Sequence, residues 1–277
     1  MTVIQIVFVF IFGSIVGSFL NVCIYRLPEE QSIVFPASSC RRCKTKLKFY
    51  ENIPLASYIM LGGKCSSCGV KISFRYFFVE LLTAVLAVLL FLYFKNYFLF
   101  GYYFLFTALL IVVFFIDLDH KIILDEVTYP FTAVGILGSL FMPELVLSNS
   151  HGIFFWGLKN VMLSNFLNSV AGAFLGMAFF FLIRFFGSML LKQEAMGLGD
   201  VKFAMLIGAF LGWQKAFLSF FISFFLGAAA AIFLIIFYNK KGRDEVPFGT
   251  FMAAGALTAV FFGDIIIKIY INHLFLY

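Results

Sequence analysis

The chain is cut into apolar stretches long enough to cross a bilayer, and that fixes its solvent before any motif is considered. A spanning helix needs about 20 mostly apolar residues. Stretches near that length run over about 3–24, 77–94, 98–116, 127–147, 166–190, 216–238 and 248–271, with a shorter one at 201–213. Of 277 residues, 63% are hydrophobic and 12% charged, about half the charge of a soluble domain. The 42 phenylalanines, in runs such as Phe220–Phe225, exceed what a water-soluble core would hold. A net charge of +6 raises the question of nucleic acid, but no basic helix or aromatic platform accompanies it, so no nucleic-acid partner is expected. The expected fold is an all-α integral membrane protein of about eight transmembrane helices.

The stretch at 201–213 is the short member. Thirteen helical residues rise about 20 Å, less than the roughly 30 Å of hydrocarbon. It is read as a spanning helix that thins the bilayer or follows a loop dipping into it, where protein must satisfy the backbone. No Lys or Arg precedes the first stretch, so it reads as a retained helix and not a signal peptide. The only long polar segment follows it. Three regions result: a first transmembrane helix at 1–25, a cytosolic four-cysteine loop at 26–76, and a polytopic membrane domain at 77–277.

Orientation follows from the basic residues, which favour the cytosolic side. With the N-terminus outside, sixteen of twenty Lys and Arg fall inside: nine from Arg26 to Arg75, then Lys121, Arg184, Lys192, Lys202, Lys240, Lys241 and Arg243. Lys95, Lys159, Lys215 and Lys268 fall outside. The expected location is a membrane crossed several times, with the four-cysteine loop on its cytosolic side.

Cys40-Arg-Arg-Cys43 and Cys65-Ser-Ser-Cys68 are two C-x-x-C pairs. Two-residue spacing lets both thiolates of a pair meet one ion, and two pairs complete the tetrahedral shell of structural zinc. Gly69 suits the tight turn after the second pair. Arg41, Arg42 and Lys44 favour thiolate over thiol. The alternative, two disulfides, is disfavoured in a reducing cytosol. A closed four-cysteine shell makes the zinc structural, in a zinc-ribbon-like loop too small to fold on its own core. Cys23 is read as a small membrane residue.

Acidic residues are scarce, so their positions carry information. Phe115-Ile-Asp117-Leu-Asp119-His120 closes the third stretch, with Asp125-Glu126 beyond, and Met196-Gly197-Leu-Gly199-Asp200-Val-Lys202 opens the sixth. Two crossings separate them, which returns the chain to one face. Asp117 and Asp200 can therefore meet, and an ionisable group at membrane depth is a functional candidate. Two adjacent carboxylates share a proton; one activates water while the other polarises a carbonyl. The bland reading is a pair of helix-end charges. Asp119 points about 200° from Asp117 around the helix and should not substitute. Asp264 and Lys268 read as an (i, i+4) pair, Arg184 as a snorkelling residue, and Asn21, Arg26 and Glu80 as interface anchors.

These residues resemble the bacterial type IV prepilin leader peptidase and N-methyltransferase family of G-x-G-D aspartic membrane proteases. Gly17-Ser-Phe-Leu-Asn-Val-Cys-Ile-Tyr-Arg-Leu-Pro28 is similar to its opening segment, and Cys40 to Cys68, with Asn52-Ile-Pro-Leu-Ala-Ser-Tyr58 inside, to its four-cysteine loop. Ser73-Phe-Arg-Tyr76 and Val79-Glu80 match the entry to the next helix; Asp117-Leu-Asp119-His120 and Gly197-Leu-Gly199-Asp200-Val-Lys202 match the two aspartate segments. Arg41 and Phe77 stand where the family often has proline, Leu124 where it has proline before Asp125, and 143–166 is longer than usual.

The resemblance implies a membrane aspartic endopeptidase with Asp117 and Asp200 as catalytic pair. It would cut the basic leader from type IV prepilins or pseudopilins on the cytosolic side. It would then N-methylate the new terminus with S-adenosylmethionine, whose site no Gly-rich loop marks. Gly197, Gly199, Lys202, Asp125 and Glu126 are expected to support the site or bind the leader. The basic loop should repel that leader and meet anionic lipid headgroups instead, leaving attraction to Asp119, Asp125, Glu126 and Glu194. The competing classes are a transporter or channel subunit with proton-relaying aspartates, a presenilin-type protease, and a zinc-stabilised assembly factor without catalysis. The first predicts polar residues along several helices, and the second leaves the four cysteines unexplained.

Overall fold

The computed structural model describes residues 2–142, 160–194, 196–238 and 247–275. Among these the chain is helical: α1 (Val3–Arg26), the short α2 (Ala56–Met60), α3 (Phe74–Tyr93), α4 (Tyr97–His120), α5 (Asp125–Ser139), α6 (Val161–Leu191), α7 (Leu198–Tyr238) and α8 (Phe248–Phe275). No strand forms among the described residues, only isolated bridges in the cysteine loop. Six helices are long and apolar enough to cross a membrane, α7 counting as one. Two compact units divide inside α4, Met1–Val112 and Val113–Tyr277. The first unit holds α1, the cysteine loop, α3 and the larger part of α4.

In the first unit α1 is capped by Thr2 and Gln5 in a reciprocal box and packs antiparallel on α3 along a seam of small residues. Gly13 lies against Ala84 and Ala87, and Gly17 against Glu80 and Thr83. Between apolar helices in lipid, close backbone approach of this kind is what van der Waals attraction rewards. Asn21 ties the seam at its loop end, donating to the Tyr76 carbonyl at 3.0 Å.

The second unit turns on a reversal inside α7. Gly212 holds φ 71° and ψ 169°, a conformation essentially restricted to glycine, and the chain folds back there. The first arm, 198–211, runs antiparallel to α6: the Ser169 hydroxyl donates to the Ala209 carbonyl at 2.6 Å, and Gly176 faces Ala204. The second arm, 213–238, runs parallel to α6, with Gly172 beside Trp213, Gly176 beside Phe220 and Phe180 stacked on Phe224. Helix α8 returns antiparallel to that arm, as Gly227 meets Phe248, Gly255 meets Ser223 and Gly263 meets Lys215. A straight helix of 41 residues would be about 62 Å long and could not make both sets of contacts with α6.

The stretches at 201–213 and 216–238 are therefore the two arms of one hairpin. With α5 running parallel to the first arm (Asp125 beside Lys202, Gly135 beside Phe210), the apolar segments agree with the expected eight. Helix α5 and the first arm rise only about 22 and 21 Å. The first arm tolerates this because protein encases it: Phe203, Ala204, Leu206, Ile207, Ala209, Phe210 and Leu211 expose no surface. Its length need not match the bilayer. At the reversal, Lys215 Nζ meets Asp264 Oδ2 at 2.8 Å, with Lys215 buried. This corrects the expected Asp264–Lys268 pair: the inward face of α8 offers Asp264 a cation across the bundle, so it does not turn to one on its own helix.

Candidate active site

At the end of the second unit opposite that ion pair, four elements bring functional side chains together. Helix α4 delivers Asp117 in its last turn, buried, while Asp119 and His120 are exposed. The two-residue offset turns Asp119 to the other side, as the helical period requires. Helix α7 delivers Asp200 in its first turn, half-buried and close enough to Asp117 for the two carboxylates to interact electrostatically. The α7 reversal brings α8 back to the same end. There the Thr250 backbone N–H donates to Asp117 Oδ2 at 2.9 Å. A Cβ on Gly249 would sit 2.9 Å from Asp117 Oδ2 and 3.0 Å from Ile123, so only glycine lets this turn approach the carboxylate.

The remaining expected residues fall around this pair in unequal ways. Gly197 lies in the loop ahead of α7, its backbone amide directed at the Asp200 carboxylate. Gly199 is in the helix, and what crowds it is Ile123, 3.0 Å from where its Cβ would be. Lys202 Nζ grips both oxygens of Asp125, at 2.6 and 2.8 Å, and lies over the Tyr129 ring at 5.4 Å. Asp125 therefore adds no net charge to the acidic set. Glu194 is likewise matched by Arg184 at 3.2 Å, and Glu126 is exposed in the first turn of α5. Arg184 is more than a snorkelling residue: its Nη1 donates to the Met196 carbonyl at 2.8 Å, which anchors the loop carrying Gly197.

Gly249 and Thr250 were not anticipated. Their signal was present as Pro247-Phe248-Gly249-Thr250, since proline before a long apolar run marks a helix start. Nothing in spacing tied that helix to Asp117, 133 residues away.

In the first unit the four cysteines converge, all four sulfurs lying within 4.8 Å of one another. Cys40 and Cys68 Sγ are 3.8 Å apart, and Cys43 and Cys65 Sγ 4.0 Å. Tetrahedral zinc with Zn–S bonds near 2.3 Å requires about 3.8 Å between sulfurs, so the donor set fits that ion. Each pair sits in the same kind of turn. The Cys40 amide donates to Thr45 and the Lys44 amide back to Cys40; the Cys65 amide donates to Val70 and the Gly69 amide back to Cys65, each at 2.9 Å. The left-handed residue after each pair is Lys44 (φ 58°) and Gly69 (φ 66°). Hydrogen bonds from Thr45, first its hydroxyl and then its amide, lower Cys43 to about 6. Amides of Cys68 and Ser67 lower Cys65. Cys68 stays high at about 11 although the Val70 amide favours its thiolate, because desolvation and the neighbouring thiols oppose a further charge.

The residues read as interface anchors hold the loop to its helices. The Leu55 amide donates to Glu80 Oε2 at 2.8 Å, and the Arg26 guanidinium donates to the Ser32 and Pro36 carbonyls at 2.9 and 2.7 Å. Arg41 stacks on Tyr25, 3.5 Å from its centroid.

Two family patterns cover most of the chain in order. Residues 11–94 match the bacterial peptidase A24 N-terminal domain, and residues 104–232 match the type IV leader peptidase family. The chain is similar to the prepilin leader peptidase/N-methyltransferase of Dichelobacter nodosus, 33% identical over 94% of this chain and 93% of that one. The protein of that name from Legionella pneumophila is 35% identical over 95% and 93%, and that from Pseudomonas aeruginosa 30% over 94% and 91%. No solved structure matches the chain. Spans, helices and relatives agree on a multi-pass membrane protein. The chain belongs to the type IV leader peptidase family.

Proposed function

We propose that this protein is a membrane aspartic endopeptidase that removes the leader of type IV prepilins or pseudopilins and then methylates the exposed amino terminus. Asp117 and Asp200 are the catalytic pair. The observation that carries the reading is their convergence: two carboxylates, 83 residues apart in sequence, come within electrostatic reach of each other at one end of the second unit. A transporter with relaying aspartates would continue the polar path toward the far end; here the first arm of α7 beyond Asp200 is wholly apolar up to Gly212 apart from Lys202.

The chemistry follows from two carboxylates that hold one proton between them. Two amides at Asp117, from Thr250 and Gly249, against one at Asp200, from Gly197, suit the ionised member, which makes Asp117 the base that takes a proton from water. Asp200, protonated, donates to the scissile carbonyl oxygen as the water oxygen bonds to the carbon; Asp117, now protonated, gives that proton to the leaving amine as the C–N bond breaks, and Asp200 takes one back as the carboxyl product forms. Encasement of the first arm and the Arg184–Met196 contact fix the Asp200 loop in place before substrate arrives, which is where positional catalysis gains most.

Three further parts complete the reading. Cys40, Cys43, Cys65 and Cys68 bind one structural zinc. S-adenosylmethionine supplies the methyl group when bound. The membrane is a bacterial inner membrane, and the sixteen-to-four division of Lys and Arg supports a cytosolic side for the cysteine loop and both aspartates. Lys159, Lys240, Lys241 and Arg243, which take part in that division, lie outside the described residues. Mass spectrometry of a coexpressed prepilin's amino terminus tests cleavage and methylation together; an intact leader beside folded protein rejects the proposal.

A further inference from the structure

The cysteine loop presents apolar side chains that its own packing does not use. Phe49 is 90% exposed, Met60 79% and Ile59 68%. Lys44, Lys46, Lys48 and Lys64 surround them in sequence and are exposed as well. In water this would be a costly surface, since contiguous exposed apolar groups mark a contact of some kind.

Two contacts set where the segment lies along the membrane helix. The Leu55 amide bonds Glu80, six residues into α3 and so about 9 Å along its axis. The Tyr58 ring packs on Phe74 and Phe77, at 6.4 and 5.4 Å between centroids. Leu55 is held at φ 60° and ψ −51°, a strained backbone for an L-residue, so this attachment is enforced by its surroundings. A segment fixed beside the first turns of a spanning helix is level with headgroups and the upper acyl chains.

We propose that residues 49–60 form an interfacial anchor seated in the leaflet on the loop's side. Phe49, Ile59 and Met60 lie among the upper acyl chains, and the neighbouring lysines meet anionic phospholipid headgroups. Charge complementarity selects the occupant: the polar segment from Arg26 to Arg75 carries nine Lys and Arg against Glu29, Glu30 and Glu51, the balance that binds an anionic surface. Long lysine stems beside exposed aromatic and aliphatic groups are what snorkelling at such a boundary uses. The inference rests on membrane placement alone and stands or falls apart from the peptidase reading.

The test replaces Trp156 and Trp213 with phenylalanine, which removes both native tryptophans, and introduces F49W or I59W in the full-length protein. Each variant is reconstituted in phosphatidylcholine vesicles with or without phosphatidylglycerol, and zinc content is measured to confirm the fold. The expected result is blue-shifted emission quenched several-fold more by bromolipids labelled high in the acyl chain than by iodide, and more strongly with phosphatidylglycerol. Emission quenched by iodide and untouched by bromolipid, in zinc-loaded protein, overturns the anchor and points to a protein-docking surface. Lipid quenching indifferent to phosphatidylglycerol overturns the anionic-headgroup assignment.

Discussion

Asp117 and Asp200 act as one pair, and that shapes what replacing either should do. Asp117→Asn and Asp200→Asn keep size and remove the shared proton. Each should lower cleavage by about 10²–10⁴-fold, and the double variant should be little worse than either, because residues acting as one unit are not additive. Asp119→Asn should retain substantial cleavage, since the residue faces away and is exposed. Methylation of a precleaved substrate should persist in all of them; near wild-type processing by either single Asn variant would end the assignment. Gly249 gives a sharper geometric test. Its missing Cβ is what lets α8 reach Asp117, so Gly249→Ala should displace the carboxylate and lower kcat by about ten- to a hundred-fold. Zinc content and methylation should be unchanged, and unaltered kcat would show that the turn yields without moving Asp117. The aspartates were legible in the sequence because acids in an apolar chain stand out. Gly249 was not, because a close approach between residues 117 and 249 leaves no mark in either segment.

At the scale of elements, the two C-x-x-C turns were readable because metal chemistry fixes their spacing, and the structure gives both the same hydrogen-bond pattern. The loop around them has few buried apolar residues of its own: among the described residues 30–73, Cys65 is the one that is both hydrophobic and buried. Its order should therefore depend on the metal. Purified protein should contain about one zinc per chain, and Cys65→Ser should lower zinc content and make the loop protease-sensitive. A quadruple serine variant that kept an intact loop and normal methylation would remove the structural role. What spacing could not show is how the loop is moored. Glu80 was read as an interface charge, yet it accepts the Leu55 amide, a tertiary contact between residues 25 apart. The hairpin in α7 was half legible. Two apolar runs around Gly212-Trp213 implied two crossings, whereas unbroken helical hydrogen bonding on both sides of Gly212 hides the turn from a count by length.

For the whole molecule, the reversal at Gly212 and the distribution of basic residues together make a statement about sides that neither makes alone. If α7 crossed once, the segment before it and the segment after it would lie on opposite faces. The chain would then need a further crossing to bring Thr250 back to Asp117, and the eight residues between Tyr238 and Pro247 could not supply one. With the reversal, residue 193 and the end of α7 at Tyr238 share a face, and the two crossings by α5 and α6 put Asp117 and Asp200 on that face as well. Single cysteines at positions 95, 149, 193 and 241, the second and last outside the described residues, read this out with an impermeant maleimide on intact cells. Positions 95 and 149 should label at once, and 193 and 241 only after the membrane is opened. Labelling at 241 with 193 protected would make α7 a single crossing and dissolve the hairpin. Labelling at 193 and 241 with 95 and 149 protected would keep the fold and invert it, placing both aspartates on the outer face, where a substrate's basic leader retained in the cytosol could not reach them.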